Sequence, residues 1–213
     1  TLVAMAAAQE SARDLFFAAE AWKGFRVSLM VRNPETPARG GDPESKESCR
    51  VRETDPSYPF RAGDRFRMRI QGNADGYLYV LTRSAAGDLT MLFPSDGKFL
   101  KSGKLERFES RTVPEASWFT FENRASTEWI YLVMSPVAIN DLDKLVANPR
   151  KTIKEKNLEK IFAKAGPARS LEERDEDLEG GAGPTYFVQQ ANWAATEKGG
   201  LVLHRLKLVN RGN

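Results

Sequence analysis

The sequence predicts a mainly β chain, folded as an antiparallel β-sandwich of about seven to nine strands, with an immunoglobulin-like arrangement among its options and a helical insertion before its last strands. Three observations carry this expectation. Phe25–Val31 and Phe66–Ile70 alternate apolar and polar residues with a period of two, the pattern of a half-buried strand. Tyr77–Thr82 and Trp129–Met134 are apolar on both parities, which reads as central strands covered on both sides. Between these runs lie clusters of turn residues, Asn73-Ala-Asp-Gly76 and Ala85-Ala-Gly-Asp88.

Taken in order, Glu10–Trp22 has Leu15, Phe16, Ala19 and Trp22 at helical spacing and predicts a short helix. The strand Phe25–Val31 follows. The run from Asn33 to Glu47, rich in Pro, Gly, Glu and Ser, offers little to bury and reads as a loop, with a short strand returning near Ser48–Arg52. Phe60–Pro94 then predicts a three-stranded antiparallel meander: the arginine strand, a turn in which Gly76 is free to take a positive φ, Tyr77–Thr82, a second turn, and Leu89–Phe93 closed by Pro94. Lys98–Arg111 is weakly periodic and reads as loop with a short extended segment. Trp118–Phe121 and Glu128–Met134 form a further pair of strands.

After Ser135-Pro136 the periodicity becomes helical. Leu142, Leu145 and Val146 mark one helix in Asn140–Val146; Ile153, Leu158, Ile161 and Phe162 mark a second in Ile153–Ala165, stopped by Gly166-Pro167. The acidic stretch Leu171–Leu178 reads as a solvated helix, and Gly180-Gly-Ala-Gly-Pro184 as a hinge. Tyr186–Gln190 and Leu201–Val209 restore strand character and are expected to rejoin the main sheets. The organisation expected is therefore a chain remnant at 1–9, one sandwich domain from 10 to 213, a helical insertion over 140–180 and returning strands over 185–210.

Composition narrows the function classes. A chain of 213 residues with 41% apolar residues furnishes a normal core. With 32 basic against 29 acidic residues, the net charge of +3 creates no strong field for nucleic acid or a membrane surface. No apolar run reaches the roughly 18 residues of a membrane span. Cys49 is the sole cysteine and His204 the sole histidine, which removes an internal disulfide, a cysteine-based zinc site and most triad chemistry. The opening run ends in Ala6-Ala7-Ala8 before Gln9 and reads as the end of an apolar signal region at a small-residue cleavage site. The expectation it raises is export, to the periplasm or the cell exterior.

Arg65, Arg67 and Arg69 are the candidate binding residues. At ordinary strand rise they lie about 6.7 Å apart on one face, suited to an acidic partner, although a charged strand face also protects a sheet from aggregation. Tyr77, Tyr79, Trp118, Trp129 and Tyr131 offer a stacking platform for a glycan, against the commoner role of aromatics as core. His204 shares its parity with Val202 and Leu206 and reads as a packed residue, not a general base. Ser95-Asp96 is ordinary turn chemistry, Cys49 an unreactive thiol, and Asp64, Asp75, Asp88 and Asp96 have no calcium-loop spacing. Phosphate-loop, dinucleotide, zincin and nucleophile-elbow motifs are absent, so no catalytic residue and no cofactor is assigned.

Phe60-Arg-Ala-Gly-Asp64, Phe66-Arg-Met-Arg69, Asn73-Ala-Asp-Gly-Tyr-Leu-Tyr-Val80, Gly87 with Leu92-Phe-Pro94, and Trp129 to Pro136 together resemble a bacterial domain of unknown function, number 4384, over about residues 58–139. The resemblance implies an exported, mostly β module found alone or beside caspase-like peptidases and protein kinases. It transfers no catalytic residue. Gly63-Asp64 would turn the chain into its strand, and Asp75-Gly76 would make a hairpin. The function expected is a non-catalytic recognition or scaffolding module of the cell envelope that binds an envelope or secreted protein. The alternatives are a glycan-binding module or a hydrolase that works with carboxylates alone.

Overall fold

The computed structural model describes residues 11–18, 21–32, 51–95, 103–148, 151–164, 172–174, 183–191, 193 and 200–212. The expected signal remnant at 1–9, the loop over 33–47, Cys49, Asp96 and most of the glycine hinge lie outside them. Two antiparallel sheets form a β-sandwich, with three short helices on its outer faces. The first sheet runs β11 (Glu172–Arg174), β12 (Thr185–Gln190), β1 (Trp22–Arg32), β3 (Arg65–Gly72), β7 (Ser110–Val113), with β2 (Val51–Thr54) also pairing with β1 and β8 (Phe119–Thr120) with β3. The second runs β10 (Ile153–Lys154), β5 (Asp88–Phe93), β4 (Gly76–Arg83), β9 (Ser126–Ser135), β13 (Val202–Asn210), with β6 (Lys104–Leu105) against β4. The described strands number thirteen because several lines beside the central strands are shared by two short strands. Thus β12 and β2 share one side of β1, β7 and β8 one side of β3, and β5 and β6 one side of β4.

The alternating pattern becomes the sandwich core directly. Phe25, Val27, Leu29 and Val31 of β1 and Phe66, Met68 and Ile70 of β3 face Leu78, Val80, Ile130, Leu132, Leu206 and Leu208 of the other sheet. All are buried, each contributing roughly 1.5–3 kcal/mol by leaving water. The strands apolar on both parities have their second face covered as well. α2 (Asn140–Val146) and α3 (Glu155–Lys164) lay Leu142, Leu145, Val146, Leu158 and Ile161 over Tyr79, Leu81, Tyr131 and Val133. On the opposite exterior, α1 (Ala12–Ala18) packs Leu15 and Phe16 against Tyr186 and Val188.

Several expectations need correction. The strands at Trp118–Phe121 and Glu128–Met134 are not partners: β8 lies beside β3 in the first sheet and β9 between β4 and β13 in the second. The three-stranded meander does not form: β3 belongs to the first sheet and β4 to the second, so the turn at Asn73–Asp75 is a crossover between sheets and only β4–β5 is a hairpin. The reason is that Met68 and Ile70 face Leu78 and Val80 across the core, whereas the edge partner of β3 is β1, in register from Phe25↔Gly72 to Arg32↔Arg65. Gly76 does not use its freedom to take a positive φ; among the described residues positive φ occurs at Gly63, Gly87, Gly212 and Phe108. It is glycine because a Cβ there would lie 2.4 Å from the carbonyl oxygen of Ser135. The expected solvated helix at Leu171–Leu178 is replaced over Glu172–Arg174 by a strand pairing with β12, a tertiary contact that overrides local propensity. Finally, α1 ends at Ala18 and Trp22 already belongs to β1, while Ile153 belongs to β10 and not to α3.

Candidate functional site

The side chains of β3 divide as their spacing requires. Phe66, Met68 and Ile70 are buried; Arg65 is exposed and Arg67 and Arg69 half-buried on the outer face. Directly opposite residues of an antiparallel pair share a face, so Arg65 stands beside Arg32, Arg67 beside Met30 and Arg69 beside Ser28 of β1. On the other side Arg65 meets Thr120 and Arg69 meets Thr112. α1 covers only the end of this sheet near Tyr186 and Val188. What results is a cationic surface with Arg32, Arg65, Arg67 and Arg69 in two adjoining strands.

The three arginines are not equivalent. The Arg67 guanidinium stacks 4.5 Å from the centroid of Trp118, and its Nε donates to the carbonyl oxygen of Ser117 at 2.6 Å. It is thereby fixed in place by a cation–π contact and a charge-assisted hydrogen bond. Arg69 reaches Met30 Sδ at 3.6 Å and Glu53 at 3.9 Å, a loose and exposed ion pair worth at most about 1 kcal/mol. Arg65 has no ion pair among the described residues. The sequence offers Trp118 as a glycan platform or as core; its place beneath Arg67 follows only from the pairing of β8 with β3, which a local pattern does not reveal.

A second charged cluster, missed by sequence reasoning, lies on the outer face of the second sheet. Glu155 at the start of α3 accepts a short hydrogen bond from the Tyr131 hydroxyl, lies 2.8 Å from Arg83 and 3.8 Å from Arg205. The Tyr131 hydrogen bond, followed by the two guanidinium groups, holds the Glu155 carboxyl below its ordinary range. Burial and the same hydrogen bond push the Tyr131 phenol up. Beside it Arg205 and Lys207 approach the half-buried Trp129 ring at 4.7 and 5.9 Å. Nothing local in Lys-Thr-Ile-Lys-Glu155 signals that this glutamate meets two arginines from separate strands.

The other sequence candidates take structural roles. Tyr79 is wholly buried; its hydroxyl accepts the Ile139 N–H at 2.7 Å and donates to Asp143 at 2.9 Å, satisfying the N-terminus of α2, whose N-cap residue offers no side-chain acceptor. Burial pushes this phenol far up and raises the Asp143 carboxyl. Asp64 accepts the Arg61 N–H at 2.8 Å within the turn where Gly63 adopts φ 81°. Asp75 accepts the Arg107 N–H at 2.7 Å, and Asp88 pairs with Lys154 at 2.7 Å. These carboxylates are dispersed. No group of three His, Cys, Asp or Glu residues able to hold a metal ion occurs among the described residues. His204 is buried and stacked on Phe187 with centroids 3.5 Å apart. No described helix is long and apolar enough to cross a membrane.

Asn73 has the densest role of the motif residues. Its Oδ1 accepts the Gly24 N–H at 2.9 Å, and its Nδ2 donates to the carbonyl oxygens of Phe16 and Trp22 at 2.9 and 3.0 Å. One buried side chain therefore ties the crossover to β1 and satisfies a carbonyl in the last turn of α1. Neither a curated protein nor a solved structure matches the chain. A family match does cover residues 59–138, the stretch holding Asp64, the arginine strand, Asn73 and Asp75. That segment matches the family described as a domain of unknown function, DUF4384.

Proposed function

We propose that the protein is a non-catalytic recognition module of the bacterial cell envelope, binding an acidic segment of an envelope or secreted protein on the arginine face of its first sheet. One observation carries the reading: Arg65, Arg67 and Arg69 project from one face of β3, at alternate positions of a strand whose other face is core. An extended acidic segment laid along that strand meets the three guanidinium groups in succession. Arg67 supports the same role, since its guanidinium is already held by Trp118 and Ser117 and loses little freedom on binding. Glycan stacking is less well served, because Trp118 and Trp129 each have a cation on a ring face. Against the hydrolase reading, Asp64, Asp75 and Asp88 are engaged by separate backbone or lysine partners.

The test is a pull-down from envelope extract at low and high ionic strength with the parent and the variant R65S/R67S/R69S. The expected result is a partner recovered by the parent at low salt, released at high salt, and recovered roughly tenfold less by the variant. Equal recovery of every partner by both proteins removes the arginine face from the function. Recovery that is indifferent to salt but competed by cell-wall glycan replaces the proposal with the glycan reading.

A further inference from the structure

Among the described residues the second sheet ends in β13, whose one strand partner is β9, with Phe60 making a single bridge to Asn210 on its other side. The direction of its backbone groups follows from the bonds at its two ends. At one end the Gln189 side chain donates to the Leu201 carbonyl at 2.5 Å and accepts weakly from the Leu203 N–H at 3.5 Å. At the other, Phe60 N–H donates to the Val209 carbonyl at 3.0 Å and Arg211 N–H to the Phe60 carbonyl at 2.9 Å. Odd-numbered residues therefore face away from β9. Between the two plugs, the N–H groups of Arg205, Lys207 and Val209 and the carbonyls of Leu203, Arg205 and Lys207 have no backbone partner among the described residues. The plug at Phe60 does not extend over them, since the next donor of that segment in line with β13, the Tyr58 N–H, turns back to the Asp55 carbonyl at 3.3 Å.

We infer that this open stretch of β13 is a docking edge for an extended acidic segment of a partner protein, which adds a strand to the second sheet. The backbone groups supply the ladder, and the flanking side chains select the sign of charge. Arg205 and Lys207 are both exposed, project on the outer face and flank the Trp129 ring, so glutamate or aspartate at alternate positions of the incoming strand meets them. A second copy of the chain is a poor occupant, because edge-to-edge pairing would bring Arg205 and Lys207 near their own counterparts. The site is separate from the arginine face: it lies on the other sheet and depends on none of Arg65, Arg67 or Arg69.

The probe is a short synthetic peptide of alternating glutamate and valine, with a counterpart N-methylated on alternate backbone nitrogens, added to the whole protein while amide hydrogen exchange is followed by NMR. The unmodified peptide should slow exchange at Arg205, Lys207 and Val209 by on the order of tenfold, and added salt should reverse this. Lys207→Pro removes an edge donor at a position where an edge strand tolerates proline, and should abolish binding. R205E/K207E should weaken it about tenfold, and it provides the same reading should the proline variant fail to fold. R65S/R67S/R69S should leave this protection unchanged, whatever it does to capture from extract. Absence of protection at these amides, equal protection by the N-methylated peptide, or protection that rises with protein concentration without peptide would each overturn the inference.

Discussion

His204 shows how a single residue sets a condition on the whole protein. Burial, and then the neighbouring Arg205 charge, lower its pKa from 6.5 to about 3, and its Nδ1 is buried without a hydrogen-bond partner. The folded state thus keeps the ring neutral where the unfolded chain takes up a proton. Because the folded pKa lies below the unfolded one, the stability is full above pH about 6.5 and is lost as pH falls towards 3. Glu155, whose pKa is also lowered, acts in the same direction but only below the ordinary carboxylate range; Asp143, raised by burial, acts oppositely. Between pH 7 and 5 the histidine passes through its ordinary titration range and loses its contribution. The loss expected over that interval is about 2 kcal/mol. Urea unfolding of the parent and of His204→Leu at both pH values should show the difference in the parent and a much flatter response in the variant. Parallel losses in the two proteins would mean that other groups govern acid stability.

The elements were legible wherever one strand's own pattern decides them, and illegible wherever a distant strand does. The alternation of β1 and β3 and the apolar character of β4 and β9 predicted their burial because a strand's period of two is local. The same pattern contains no statement of which sheet a strand joins, so β3 and β4 read as hairpin partners although they lie on opposite sides of the core. Gly76 was misread for the same reason. Its need for glycine comes from Ser135, more than fifty residues away, and not from a turn of its own. The arginine strand was visible in sequence, yet Arg32 opposite Arg65 and Trp118 beneath Arg67 depend on pairings with β1 and β8. Gly76→Ala tests the close approach directly. Its Cβ meets backbone, which cannot turn aside as a side chain does, so β4 and β9 must separate at the Tyr77↔Ser135 end. A loss of roughly 1–3 kcal/mol is expected in chemical denaturation. Gly87→Ala serves as a contrast: its penalty comes from φ +78° and not from crowding, so extra space does not relieve it.

At the scale of the molecule, the family match and the folding unit have different limits. Residues 59–138 include β3 to β9, the crossover at Asn73 and the hairpin β4–β5. The core they enter is shared. Phe25, Val27, Leu29, Val31, Phe187, Val202, Leu206 and Leu208 lie outside the match and make up eight of the twenty-one buried residues of the sandwich interior. Without them β3 loses its β1 neighbour along all eight residues of register, β9 loses β13, and Asn73 loses the carbonyls and the N–H it joins. Two central strands become open edges with apolar inner faces, a state that aggregates and does not fold. The excised segment 59–138, expressed alone, is therefore expected to lack a cooperative thermal transition and dispersed amide resonances. Addition of a synthetic strand spanning Trp22–Arg32 should restore part of the order, because it returns the whole ladder along β3 and four of the eight missing core residues. A cooperative transition in the excised segment without that strand would show that the family core is self-sufficient and that β1, β12 and β13 only decorate it.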